Sequence, residues 1–265
     1  MKRNPRLYVL ARAPEWIVVA KPPRVITHRN WAHPREYAML QRVRDLVGER
    51  VYPIHRLDRA ASGCLLFAID RSWAGPLQEC LRGAQKTYLA FVRGYFNHEG
   101  EVQVDNPMKD DNGLLKDASS TVRALGRCHE PRSSLLEVHP RTGRYHQVRR
   151  HVRDLHHPII KDADHGDSKV NRWWKDEYGV DRLGLHAWRM QLTLPDGEAL
   201  DARCPLFEDQ ADLFRRLPWW DEAVAARPEL AEPALRIKGP PWVRDEAGEE
   251  GTDNTVNDAI LEGEE

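Results

Sequence analysis

Cysteine is scarce in this chain. Cys64, Cys80, Cys128 and Cys204 are scattered over 265 residues with no C-x-x-C pair. That excludes a disulfide framework and a thiolate zinc site, and reads as reduced, packed thiols of a cytoplasmic protein. No apolar run approaches the roughly 18 residues of a membrane-spanning helix. Near the N-terminus Arg6, Arg12 and Glu15 interrupt any core of the kind a secretion signal needs. Despite 12 His, the chain lacks H-E-x-x-H, clustered Cys and EF-hand spacings. Asp162-Ala163-Asp164-His165-Gly166-Asp167 has metal-friendly side chains, but after Pro158-Ile159-Ile160 it reads as a polar loop. Neither a metal nor a cofactor is expected.

A strong net charge is also missing, since 40 Lys and Arg stand against 41 Asp and Glu. The balance conceals a segregation. Residues 245–265 hold nine acids and no Lys or Arg, so residues 1–244 carry 40 basic and 32 acidic groups, a net of +8. A net-basic body with an acidic tail is compatible with a polyanionic partner, a property many soluble proteins share.

Short alternating or branched apolar runs dominate what is present. Strands are expected at 7–10, 16–20 and 25–27, the last two separated by the Pro22-Pro23 turn. A helix near 37–47 stops at Gly48, and Ser72 can cap another with Trp73, Leu77, Cys80 and Leu81 on one face. Strands near 86–94, 101–104, 120–126 and 134–139 lead into a helix around 144–154. Two more, near 185–194 and 199–204, flank Pro195-Asp196-Gly197. Strands without strict strand–helix alternation give an α+β fold on a mixed or mainly antiparallel sheet. Leu206, Phe207, Leu213 and Leu217 are spaced as a helix that packs back on it. After Trp242 the acidic, aromatic-poor chain reads as disordered, leaving 1–242 as one domain and 243–265 as a tail.

Three segments carry the chemistry. His55-Arg56-Leu57-Asp58-Arg59-Ala60-Ala61-Ser62-Gly63 puts one carboxylate between two arginines, just before the apolar run Cys64–Ile69. Flanking cations favour the carboxylate form, which suits nucleophilic or charge-stabilising work on an anionic, sugar-containing substrate. A surface ion pair at a strand end would use the same residues. In Lys86-Thr87-Tyr88-Leu89-Ala90-Phe91-Val92-Arg93-Gly94, Tyr88, Ala90 and Val92 share a strand face, where a Tyr is ordinarily a core or rim aromatic. In Arg141-Thr142-Gly143-Arg144-Tyr145-His146-Gln147-Val148-Arg149-Arg150-His151, helical spacing groups Val148, Val152 and Leu155 as a core stripe. His146, Arg149 and Arg153 fall on the neighbouring face, which by itself is equally a solvated basic surface.

In order and spacing, these segments resemble the signatures of the RluA-type pseudouridine synthases, over roughly residues 7–205. The resemblance implies one long, largely antiparallel sheet with the active cleft across its middle, and isomerisation of uridine in RNA. It assigns Asp58 as nucleophile or base, Tyr88 as the aromatic against the uracil, and Arg149 as the basic partner of Asp58, with Arg150 the residue most easily confused with it. Arg56 would fill the space left by a flipped base, and His55 would shape the motif turn. Lys21, His28, Arg29 and Arg59 are expected as phosphate or wall contacts, together with Arg144, His146 and His186. The flanks Thr27-His28-Arg29-Asn30-Trp31, His156-His157-Pro158-Ile159-Ile160 and Leu185-His186-Ala187 are most like members that act on tRNA, at uridine 65 of the T stem. A sibling acting on ribosomal RNA, and a non-catalytic RNA-binding protein, are the alternatives. A monomer without an obligate protein partner or membrane association is expected. Two residues depart from the family pattern: Ala61 where a Thr is usual, and Lys161 where a Gly is usual.

Overall fold

The computed structural model describes residues 7–110 and 112–237. Val9–Arg12 (β1) and Trp16–Lys21 (β2) form a hairpin, and Met39–Val47 (α1) follows. Tyr52–Pro53 (β3) and the fully buried Ser62–Ala68 (β4) bracket the loop that holds Asp58. The continuous apolar character of β2 and β4 reflects burial on both faces. Ile17, Val19, Leu65 and Phe67 pack against Met39 and Val43 of α1. On the opposite face Val18, Ala20, Cys64 and Leu66 meet Leu77 and Leu81 of Arg71–Arg82 (α2).

Next come Gln85–Arg93 (β5), Val102–Val104 (β6), the small pair Met108–Lys109 (β7) and Leu115–Lys116 (β8), then Ser120–Cys128 (β9) and Ser133–Pro140 (β10). Gln147–Asp154 (α3) and Ser168–Tyr178 (α4) precede Leu185–Thr193 (β11) and Ala199–Arg203 (β12). Glu208–Phe214 (α5) and Trp220–Ala226 (α6) follow, and a short 3-10 helix at Pro228–Ala231 precedes the last described residue, 237. One ten-stranded sheet runs β1-β2-β4-β11-β5-β10-β9-β6, with β12 paired to β11 and β3 to β4. Every pairing is antiparallel except β4 with β11. The α+β class and the mixed, mainly antiparallel sheet are as expected. Among the described residues no helix is long and apolar enough to cross a membrane.

The middle of the sheet sets the geometry of the cleft. Across three strands Gly63 pairs with Ala187, and Ala187 with Tyr88. A Cβ on Gly63 would lie 2.2 Å from the Ala187 carbonyl oxygen, and its φ is +122°, so only glycine lets β4 and β11 run this close. Below the sheet Phe91 is flanked edge-on by Trp174 at 5.1 Å and Phe214 at 5.3 Å, which anchors α4 and α5.

Three local expectations change, and one helix was not foreseen. Residues 25–27 form no strand: the Val25 carbonyl accepts from Lys21 Nζ, and the Ile26 and Thr27 carbonyls accept from Met39 and Leu40 at the start of α1. With those acceptors used, no ladder forms. The helix expected from 144 starts at Gln147, because His146 adopts φ 54°, ψ 28° and interrupts it. Residues 162–167 form the expected polar loop, and helix α4, for which no element was expected, follows it. Asp167 caps the helix by accepting from Lys169 and Val170, and Gly179 ends it at φ 71°. Leu206 and Phe207 precede α5 rather than lying in a longer helix, although all four apolar residues of that segment are buried. The expected disordered tail 243–265, and residues 238–242 before it, lie outside the described residues.

Candidate active site

Asp58 stands on a pinned loop. Thr27 Oγ1 bonds both the N–H and the carbonyl of Leu57, at 3.3 Å each. Lys21 Nζ donates to the Arg59 carbonyl at 3.2 Å, and Ala61 N–H returns to the Asp58 carbonyl at 3.1 Å. His55 Nε2 accepts the Leu66 N–H at 3.1 Å, tying the loop start to β4. Burial, and then Lys86, push the His55 pKa down to about 4, so its ring stays a neutral acceptor. At position 61 the turn needs only a backbone N–H, and the Ala61 methyl packs beside Val148 and Val152.

Opposite the loop, α3 delivers Arg149, only 5% exposed. Its Nη1 reaches Asp58 Oδ2 at 3.1 Å across 91 residues of sequence. Its Nε and Nη2 fork onto Asp162 at 2.7 and 2.6 Å, and Nη2 also meets Asp164 at 2.6 Å. Burial alone would lower the Arg149 pKa, but the carboxylates of Asp162, Asp164 and Asp58 outweigh it and raise it. The same network holds Asp162 below the usual carboxylate range in spite of burial. Of the acids in the metal-friendly segment, Asp162 and Asp164 are therefore engaged with this guanidinium, and Asp167 caps α4. Asp58 itself is 28% exposed, and its Oδ1 has no hydrogen-bond partner among the described residues.

Tyr88, half-buried on β5, shares a cleft of about 140 Å³ with Asp58, Arg56, Arg144, His146 and Arg149. Burial, and secondarily the Asp58 charge, raise its pKa and keep the phenol protonated. A wider cleft of about 360 Å³ opens from the other side of Asp58, along His28, Asn30 and His33 to Tyr145, Lys161 and Asp164. Arg56 is exposed at the junction of the two. Arg29, Arg59 and Arg144 are also exposed. Arg29 Nε donates to the Glu36 carbonyl, Arg59 pairs with the Glu36 carboxylate at 3.3 Å, and Arg144 Nε bonds the Asp117 carbonyl. His28 lines the wider cleft, its pKa lowered by partial burial and then by Arg56.

Two expected contacts lie elsewhere. Lys21 is 0% exposed, with its ammonium on the Pro22, Val25 and Arg59 carbonyls, and burial pushes its pKa down to about 7. It braces the Asp58 loop from beneath and cannot reach a phosphate. His186 is equally enclosed, bonding Ser62 Oγ and the Cys204 carbonyl with its two ring nitrogens. Both expectations fail because sequence shows a basic residue beside a strand but not which face it enters.

Three positions that build the candidate site were missed. Asp162 and Asp164 orient Arg149. Gln147 ties the preceding loop to β9: its amide donates to the Ser119 carbonyl and Ser120 Oγ while its oxygen accepts from Thr142 and the Arg144 N–H. An amide at a helix start and an acid pair after the apolar Pro158-Ile159-Ile160 were the available signals. Lys161, a departure from the family pattern, has φ 64°, the left-handed region where glycine is at ease, and its N–H bonds Asn171 Oδ1 at 2.7 Å.

Residues 15–154 match the family model described as RNA pseudouridylate synthase, a span that includes Asp58, Tyr88 and Arg149. The tRNA pseudouridine synthase C of Pasteurella multocida (strain Pm70) is 37% identical over 240 residues, covering 80% of this chain and 97% of that protein. The protein of the same name from Vibrio parahaemolyticus is 34% identical over 232 residues, covering 79% and 94%. Among solved structures, human RNA Pseudouridylate Synthase Domain Containing 1 aligns with a TM-score of 0.63 at 23% identity, over 76% of this chain and 84% of that one. Human RNA Pseudouridylate Synthase Domain Containing 4 gives 0.64 at 22%, over 79% and 92%. The family match and the extent of the relatives, on a sheet of the same fold, make this chain a member of the RluA-type RNA pseudouridine synthases, isomerases that convert uridine in RNA to pseudouridine.

Proposed function

We propose that this enzyme isomerises a uridine of tRNA, uridine 65 in the T stem, with Asp58 as the nucleophile or base. The observation that carries the chemistry is the Asp58 carboxylate, held by Arg149 at 3.1 Å with one oxygen turned to the cleft it shares with Tyr88. The reaction breaks the bond between C1′ and N1 of the uridine, turns the freed uracil and rejoins it through C5; C5 then gives up its proton and N1 takes one up, so the product is an isomer. Asp58 supplies the carboxylate for attack or proton abstraction, Tyr88 forms the flat wall on which the uracil turns, and Arg149 keeps Asp58 in place.

The choice of tRNA rests on relatives named tRNA pseudouridine synthase C and on the flanking segments that resemble tRNA-acting members. The surface around the cleft suits RNA. Exposed Arg29, Arg56, Arg59 and Arg144 surround it, Trp31 nearby is 94% exposed, and Tyr145 on the rim is 63% exposed. Cations with exposed aromatics serve phosphates and unstacked bases. A paired uridine must leave its stack to reach Asp58, at a cost of a few kcal/mol. Arg56, at the junction of the clefts, fills the vacated space. A cytoplasmic setting, and action by a single copy of the chain, belong to the same proposal.

Pseudouridine mapping of total RNA from cells with and without the gene is the test. The expected result is loss of one tRNA pseudouridine at position 65. Loss confined to ribosomal RNA would overturn the tRNA assignment and leave the synthase activity standing.

A further inference from the structure

The guanidinium of Arg149 has five N–H donors, and each meets a separate partner contact. Nε–H and one Nη2–H go to Asp162, and the other Nη2–H to Asp164. Nη1 contributes one hydrogen to Asp58 at 3.1 Å and one to His146 Nε2 at 2.7 Å. An arginine has no acceptor atom, so His146 Nε2 must be the acceptor and its ring proton must sit on Nδ1. That Nδ1–H then points at His165 Nε2, 3.0 Å away.

We propose that His146 is a positioning residue whose neutral Nδ1–H imidazole anchors the Arg149 guanidinium, so that its remaining Nη1 hydrogen stays on Asp58. This rests on the synthase reading of the site and deepens it. His146 does not need to touch the uridine; it acts through Arg149.

Every element packed around the ring fits this role. Asp58 on the β3–β4 loop approaches Nε2 at 3.6 Å, and Asp164 and His165, from the loop before α4, flank Nδ1 at 3.8 and 3.0 Å. Arg149 comes from α3, and Tyr145 from the same loop stacks on the ring at 3.7 Å, tilted 21°. The side chain is 8% exposed and its backbone is held at φ 54°, a conformation non-glycine residues rarely keep unless the surroundings fix it. Burial lowers the ring's pKa, with the charges of Asp58 and Asp164 working against that and those of Arg149 and His165 with it. Protonation would turn Nε2–H against the Nη1–H of Arg149, leaving that donor without an acceptor. The new donor would then compete for Asp58 Oδ2.

The test combines a spectroscopic and a kinetic measurement on the full chain. In nitrogen-15 NMR of the free protein at neutral pH, the ring assigned to His146 by its absence from His146→Gln is expected to carry hydrogen on Nδ1 and none on Nε2. An Nε2–H or a doubly protonated ring would overturn the proposal. Single-turnover rates on tRNA are expected to fall about tenfold to a hundredfold in His146→Leu, the range for losing one hydrogen bond to a charged group, with tRNA affinity unchanged. His146→Gly relieves the left-handed backbone but removes the same acceptor, so it should lose as much; wild-type rates in that variant would overturn the proposal. His146→Gln, with an amide oxygen to receive Nη1–H, is expected to recover most of the rate and to shift the acid limb of the pH profile to lower pH. An unmoved acid limb would also overturn it. If wild type forms no pseudouridine in any RNA, the functional reading fails, while the NMR arm still decides the tautomer.

Discussion

Glu137 on β10 and Arg149 on α3 are both buried ions ringed by opposite charge, yet they close differently. Glu137 is 1% exposed and receives Arg123 at 2.9 Å, His139 at 2.9 Å and Arg227 at 2.7 and 3.0 Å. Both of its oxygens are used internally, and the result fastens the segment after α6 to the sheet. Around Arg149 the arrangement is inverted, with one cation and three acids, and one of those acids keeps an oxygen for the cleft. Enclosure of charge alone therefore does not mark a site. What separates the two is that the structural cluster uses all its capacity internally, whereas the candidate active site holds some back.

The comparison is sharpest at Asp58. Replacing it with Asn should reduce isomerisation by roughly 10³-fold or more, measured as pseudouridine formed in a single turnover. tRNA affinity should persist because phosphate contacts dominate it. Substantial turnover by the variant would remove Asp58 from the chemistry. Glu137→Gln should do the reverse, costing about 1–3 kcal/mol in denaturant unfolding because it weakens the charged hydrogen bonds from the half-buried Arg123 and Arg227, with the rate per folded molecule unchanged. A rate loss without a stability loss would erase the distinction between the clusters.

The pH dependence of the Glu137 contribution follows from its shift. Burial opposes ionisation, but hydrogen bonds from His139, Arg227 and Arg123 outweigh it and hold the carboxyl below its usual range. A depressed folded pKa gives stability that is present above the unfolded value and lost as pH falls through the folded one. The unfolding difference between wild type and Glu137→Gln should stay level from neutral pH to about pH 4 and shrink below that. A difference that disappears already near pH 6 would mean that the carboxyl is not held below its usual range.

Smaller effects refine the open side. Arg56→Ala should slow turnover about tenfold on folded tRNA and much less on a substrate whose target uridine is unpaired, since only the former has to be flipped. Equal slowing on both would sink the flipping role. Lys161→Gly should stabilise the fold by about 0.5–1 kcal/mol, the left-handed penalty less the extra entropy of glycine, with little change in rate. Calorimetry showing destabilisation would mean that the Lys161 side chain contributes more than its long Nζ contact to the Asn171 carbonyl, at 3.4 Å, suggests.

Much of this was legible beforehand. The apolar run after Gly63, the alternation of β5 and the basic, stripe-bearing segment at 144–154 marked three segments, and their resemblance to a known family implied the class and their meeting at the cleft. Helix α4 was hidden by its polar composition, although Asp167, Val170, Trp174, Tyr178 and Gly179 spell a capped amphipathic turn pattern. Lys21 and His186 misled because a basic side chain at a strand end carries no sign of the face it enters.

By itself, then, the sequence determined what is local: strand and helix periodicity, and the residue types available for chemistry. Only the tertiary structure decided which charges meet. The register β4–β11–β5 places Tyr88 beside the Asp58 loop, and α3 and the 161–167 loop bring Arg149, Asp162, Asp164 and His146 onto one guanidinium. Ion pairing and burial depend on distances between segments far apart in the chain, and periodicity, which has a reach of a few residues, cannot encode them.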